Sequence, residues 1–130
     1  MTKGKKDITL TLEDILDNGV TKLSIKGLKK SVVVRDPSIR ERLQARKEAS
    51  ELPGWDSMDR LERSAEINKL VAVKMLVDPE VSLEDYLNSS DILMFVIIDE
   101  VSLYYVTKLN KLTAKRSRDI EAFLEPKTDA

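Results

Sequence analysis

Carboxylates are the side chains left to exchange protons at neutral pH in this 130-residue sequence, because it contains no His and no Cys. Their tightest pairing is Asp99-Glu100. Neighbouring residues on a helix point about 100° apart, so these two acids would not share a proton. A glycosidase-type pair needs acids facing each other across a cleft, which adjacency does not supply. Asp99 and Glu100 therefore read as solvated acids or as members of an ion pair. The two missing residue types also exclude thiolate zinc sites, Cys nucleophiles, His-based triads and internal disulfides. A calcium-type or magnesium-type D-x-D-x-D-G loop does not occur. Gly4, Gly19, Gly27 and Gly54 are scattered, without the spacing that cradles phosphate. No serine stands in G-x-S-x-G. The expectation is a non-enzyme with no cofactor and no metal.

Charge is nearly balanced, 22 basic against 23 acidic side chains, which removes any global pull toward nucleic acid or anionic membrane. Two local basic clusters stand out. Arg35, Arg40, Arg42, Arg46 and Lys47 surround one expected helix, diluted by Asp36, Glu41, Glu48 and Glu51. Lys108, Lys111, Lys115, Arg116 and Arg118 follow the most apolar segment, where cations complement a helix C-terminus. Nucleic acid is not the expected partner. The longest apolar run, Ile92 to Ile98, is far short of the roughly 20 residues a spanning helix needs, so no membrane is expected either. The basic start is not followed by an apolar core of the secretory type.

The sharpest pattern lies between Ile92 and Leu112. Met94, Ile98, Val101, Tyr105, Leu109 and Leu112 recur at helical steps of 3 and 4, and Leu93, Ile97 and Tyr104 form a second stripe. A helix apolar on so many sides must be wrapped by its own domain or by another chain. Core burial is one reading. An oligomer seam or a surface for a client protein is the other, with Met94, Ile98, Val101, Tyr104, Tyr105, Leu109 and Leu112 as the contact residues.

The elements that must carry this helix are read from period and punctuation. Residues 1–7 read as a flexible basic tail. Ile8–Leu12 alternates with period two and predicts a strand, and Glu13–Leu16 a helical turn before Asp17-Asn-Gly19. Thr21–Lys26 and Ser31–Arg35 predict two more strands around a turn at Gly27–Lys30. Ser38 and Glu41 form a capping box that opens a helix with Ile39, Leu43 and Ala49 inward. Leu52-Pro-Gly-Trp55 ends it, and Trp55 reads as a core plug at a helix corner. A helix from about Asp56 to Val77 presents Met58, Leu61, Ala65, Asn68, Ala72 and Met75, with Asp59 and Arg63 paired at i,i+4. Ser82 and Asp85 cap a short helix through Leu87. The apolar helix spans Asp91 to about Lys111, and one or two further turns lie around Ile120, Phe123 and Leu124.

This is an α+β fold: mainly a helical bundle with a small N-terminal antiparallel β-hairpin or sheet. Residues 8–125 make one domain, β-rich over 8–35, helical over 38–112 and extended by helix over 113–125. Residues 126–130 are expected to fray. A chain of this length buries roughly two-thirds of its unfolded surface and needs no staple.

The order of elements also resembles a family. Leu23-Ser-Ile-Lys-Gly-Leu28 and Val34-Arg-Asp-Pro-Ser-Ile-Arg-Glu41 lead into a charged helix. Lys74-Met-Leu-Val-Asp-Pro-Glu80, Ser82-Leu-Glu-Asp-Tyr86 and the apolar helix after Ser90-Asp-Ile-Leu93 follow. Residues 20–112 are thereby similar to the tail assembly chaperones of long-tailed bacteriophages, the Gram-positive type included. The resemblance implies a non-enzymatic chaperone in the host cytoplasm. Its partner would be the tape-measure protein, with the major tail protein as a second partner and self-association into a homo-oligomer. Two competing readings stand beside it. One is a structural virion component, such as a tail-completion or head-tail connector protein, adding Ile8–Leu12 and Ser31–Arg35 to neighbouring sheets. The other is a DNA-binding regulator using Arg40–Lys47.

Overall fold

A computed structural model describes residues 8–124, the side chain of Phe123 apart; the expected tails at 1–7 and 126–130 lie outside the described residues. The chain is a mainly helical α+β fold. In chain order it forms α1 (Leu12–Leu16), β1 (Val20–Ile25), β2 (Lys30–Arg35), α2 (Ile39–Ala49), a 3-10 turn (Trp55–Ser57), α3 (Arg60–Met75), β3 (Leu76–Asp78), α4 (Leu83–Leu87) and α5 (Asp91–Leu124).

Helix starts are written locally. Thr11 with Asp14, Ser38 with Glu41, Asp59 with Glu62 and Ser82 with Asp85 each close a capping box at the N-terminus of α1, α2, α3 and α4. Each box satisfies two backbone donors that the first turn would leave unpaired. One of them overturns an expectation. The strand read at Ile8–Leu12 does not form, because Thr11 Oγ1 accepts from the Asp14 amide at 3.1 Å and starts α1 at Leu12. The Asp59–Arg63 pair does not form either. Asp59 is occupied as the cap, and Arg63 Nε donates to the Trp55 carbonyl at 3.1 Å with its guanidinium over the indole.

The sheet has strand order β1-β2-β3, antiparallel throughout. Leu23 pairs with Val32 and Thr21 with Val34, so alternate residues turn Ile25, Val32 and Val34 inward. Gly27, at φ 86°, supplies the left-handed turn residue between the two long strands. The third strand was not expected. Leu76–Asp78 continues directly from α3, and Leu76 pairs with Val34. The sheet is therefore not confined to the N-terminus.

Two apolar clusters share α3 as their wall. Ile25, Val32, Val34, Ala72, Met75, Leu76 and Val101 form the first, between the sheet, α3 and α5. Ala45, Ala49, Leu70 and Val71 form the second, where α2 crosses α3; Leu52, Trp55, Ile67, Leu83 and Tyr86 pack around it. Trp55 thus sits at the expected corner, half-buried. Small side chains bring α2 close to α3, which displaces the expected inner face. Ala45 and Ala49 are fully buried, while Ile39 and Leu43 are exposed. In α3 the interior begins at Ile67, so Leu61, Ala65 and Asn68 face out, Leu61 at 81% exposure.

The last helix is longer than expected. The apolar segment and the turns around Ile120 and Leu124 are one continuous α5 of 34 residues, 91–124.

Candidate protein-binding surface

The structure separates the seven expected contact residues into three environments along α5. Val101 is fully buried in the first cluster, and Met94 is buried outside both clusters. Ile98 is half-buried against the same cluster. Tyr104 and Tyr105 are struts: the Tyr104 hydroxyl donates to Thr21 Oγ1 at 3.2 Å, and Arg42 Nη2 donates to the Tyr105 hydroxyl at 3.0 Å. The Arg42 guanidinium also lies over the Tyr105 ring. Leu109 and Leu112 belong to neither core, and Leu112 is 68% exposed. Val101, Tyr104 and Tyr105 are thus committed to the domain's own structure.

Met94 and Ile98 reach a second surface. Together with Leu87, Phe95 and Tyr86 they floor a groove of about 430 Å³ between α4 and α5, with Lys69, Asp91, Asp99 and Ser102 along its rim. The short loop Asn88–Ser90 sets its width. Asn88 Nδ2 donates to the Glu84 carbonyl and Ser89 Oγ to the Asp85 carbonyl at 2.6 Å, while Ser90 Oγ accepts from the Leu93 amide. These bonds turn the chain from α4 into α5 and leave the apolar floor open. Phe95 is 68% exposed and Leu87 about half exposed. Burial holds the Tyr86 hydroxyl above its usual titration range, with the Glu66 carboxylate reinforcing it and Lys69 opposing, so the phenol stays protonated as a donor.

An apolar floor with a mixed-charge rim suits an amphipathic peptide helix, whose apolar face enters while its polar face meets the rim. Covering Phe95 alone would contribute roughly 1.5–3 kcal/mol. The sequence stripe found Met94 and Ile98 here. It missed Phe95, Leu87 and Tyr86, because Phe95 lies off the stripe and α4 approaches α5 only through the folded loop.

The remaining charged clusters are partly spoken for. Arg35 is bonded by both guanidinium nitrogens to the Glu41 carboxylate, Nη1 at 2.6 Å from Oε1. Arg42 is held on Tyr105, which leaves Arg40, Arg46 and Lys47 facing solvent on α2. Asp99 and Glu100 diverge as their adjacency predicts: Asp99 lines the groove, whereas Glu100 Oε1 accepts from the Lys26 amide at 3.3 Å. Ile8–Leu12 offers no strand for sheet addition, and β2 is paired on both sides, leaving β1 and the three-residue β3 as the edges. Among the described residues no three acids gather as a metal site would require, and no helix is long and apolar enough to cross a membrane.

Comparison with known proteins gives no match: no family model, no curated protein and no solved structure aligns significantly with this chain.

Proposed function

We propose that this chain is a protein-binding domain without catalytic activity, acting as a phage-type tail assembly chaperone that shelters an apolar segment of the tape-measure protein. One observation supports the binding mode: the groove floored by Leu87, Met94, Phe95 and Ile98 is apolar and open, although the body beneath it is already packed. The resemblance over residues 20–112 supplies the client's identity. A tape-measure chain carries long apolar helices before the tail tube assembles on it, and such helices aggregate unless their apolar faces are covered. Phe, Met and Leu contacts accept varied client sequences, because they are shaped by packing rather than by directed hydrogen bonds.

Co-expression tests this reading. With the chain present, a tape-measure fragment stays in the soluble fraction and co-elutes with it. The double variant Leu87→Ser with Phe95→Ser loses both effects while keeping its helical circular dichroism. A fragment that precipitates equally with and without the chain overturns the reading. Recovery of the chain in stoichiometric amounts from purified particles would instead favour a virion component, joined through the outer edge of β1.

A further inference from the structure

Beyond Lys108 the helix α5 leaves the body. Residues 109–124, about 24 Å of helix, are all exposed where side chains are described. A helix of this length without tertiary cover is marginal in water. Yet it carries its own apolar line: Leu109, Leu112 and Ile120 continue the stripe of Met94, Val101 and Tyr105, and Leu112, Ile120 and Leu124 border a shallow apolar groove along it.

The geometry points to antiparallel pairing of residues 109–124 with the same segment of a second copy of this chain. Charge selects that occupant and its direction. Residues 108–118 hold Lys108, Lys111, Lys115, Arg116 and Arg118 with no acid, and residues 119–124 hold Asp119 and Glu121 with no base. Parallel pairing would set the basic stretch of each copy beside that of the other. Antiparallel pairing sets the basic stretch of each copy against the acidic tip of the other. The apolar line sets the register: placing Leu112 of each copy against Ile120 of the other puts the two-fold axis at Arg116. Lys115 then reaches Asp119 of the second copy on the flank of the seam, and Leu109 lies near its Leu124. Arg116, on the axis, has a long side chain that reaches Asp119 of the second copy while its stem covers apolar surface. This inference concerns the distal half of α5 and does not rest on the client groove.

The test uses the full chain, which has no Cys of its own. Sedimentation at rising concentration gives a dimer. Under mild oxidation Arg116→Cys links to itself. Leu112→Cys and Ile120→Cys each stay unlinked alone and link when mixed. Asp119→Lys weakens association about tenfold by turning two attractive pairs into repulsive ones, and Lys115→Glu combined with Asp119→Lys restores it, which a loss of folding would not allow. Phe95→Ser leaves the dimer intact, so failure of client binding and failure of pairing are read separately. A monomer at every concentration overturns the inference. So does self-linking of Leu112→Cys, which marks a parallel pair, or a dimer indifferent to all of these changes.

Discussion

Lys108 Nζ lies 2.7 Å from Asp36 Oδ2, and among the described residues no hydrogen bond or ion pair ties α5 to another element beyond it. Asp36 is itself fixed at the end of β2: its amide donates to the Asn18 carbonyl, and its carbonyl accepts from Asn18 Nδ2 at 2.9 Å. The ammonium of Lys108 also approaches the Tyr104 ring. One pair thus marks where the helix changes from a wall of the domain to a free arm.

That pair is half open to solvent, so Lys108→Ala costs only about 0.5 kcal/mol at neutral pH. Its bond to Asp36, opposed by a smaller burial effect, raises the Lys108 pKa above its ordinary 10.5. A raised lysine stabilises the fold fully below its unfolded value and loses that contribution as pH rises through the folded one. Urea unfolding of wild type and Lys108→Ala therefore differs at pH 7 and converges in strong alkali. Hydrogen exchange in residues 109–124 quickens in the variant, because the arm loses its anchor.

The opposite sign applies to Glu41. Burial works to raise its carboxyl, but the Arg35 guanidinium and the Ser38 amide and hydroxyl contacts outweigh it and hold the group below its ordinary 4.5. Stability from this cluster is complete above pH 4.5 and is lost as pH falls through the lower folded value. Glu41→Gln keeps the size and both bonds of the capping box while removing the charge. It costs about 1–2 kcal/mol at pH 7, the partly exposed Arg35 limiting the effect. The gap between Glu41→Gln and wild type narrows in acid, as urea titrations between pH 7 and pH 3 would record.

The two apolar clusters divide α3 into a committed half and an exposed half. Leu70→Ala empties the centre of the second cluster and costs about 2–5 kcal/mol. Leu61→Ala, one helical face and nine residues away, stays within about 0.5 kcal/mol. Equal losses at both positions, measured by chemical unfolding, would contradict the placement of α2 against the C-terminal half of α3.

What the sequence disclosed follows the range of each interaction. Capping boxes at Ser38 and Ser82 are contained within four residues, and both form as read. The β1–β2 hairpin is equally local, and its alternation and turn residues mark it. Long-range choices were hidden. Ile39 and Leu43 are more apolar than Ala45 and Ala49, yet the close crossing of α2 over α3 admits only the alanines. β3 carries no punctuation of its own, since Leu76 takes an extended conformation directly after the last helical residue. At Ile8–Leu12 two local signals competed, and the Thr11 cap prevailed over the alternation. The excess of apolar helix on α5 was legible, but not its division: Val101, Tyr104 and Tyr105 turn inward, whereas Phe95 and Leu112 remain outside.

On the proposed reading that division separates folding from binding on a single helix, and paired substitutions test it. Val101→Ala removes two methyl groups from a fully buried site and costs about 2 kcal/mol of stability, yet it leaves every groove residue in place. Phe95→Ser removes a ring that already faces water, so stability stays within about 0.5 kcal/mol. Binding of an apolar client helix reverses the order. Losing the 1.5–3 kcal/mol that covering Phe95 would contribute weakens affinity roughly 10- to 100-fold, while Val101→Ala binds as wild type at temperatures where it remains folded. Fluorescence titration of a labelled amphipathic peptide, run beside thermal unfolding of the same samples, reads both quantities. If Phe95→Ser binds as tightly as wild type, the groove between α4 and α5 is not where the client sits.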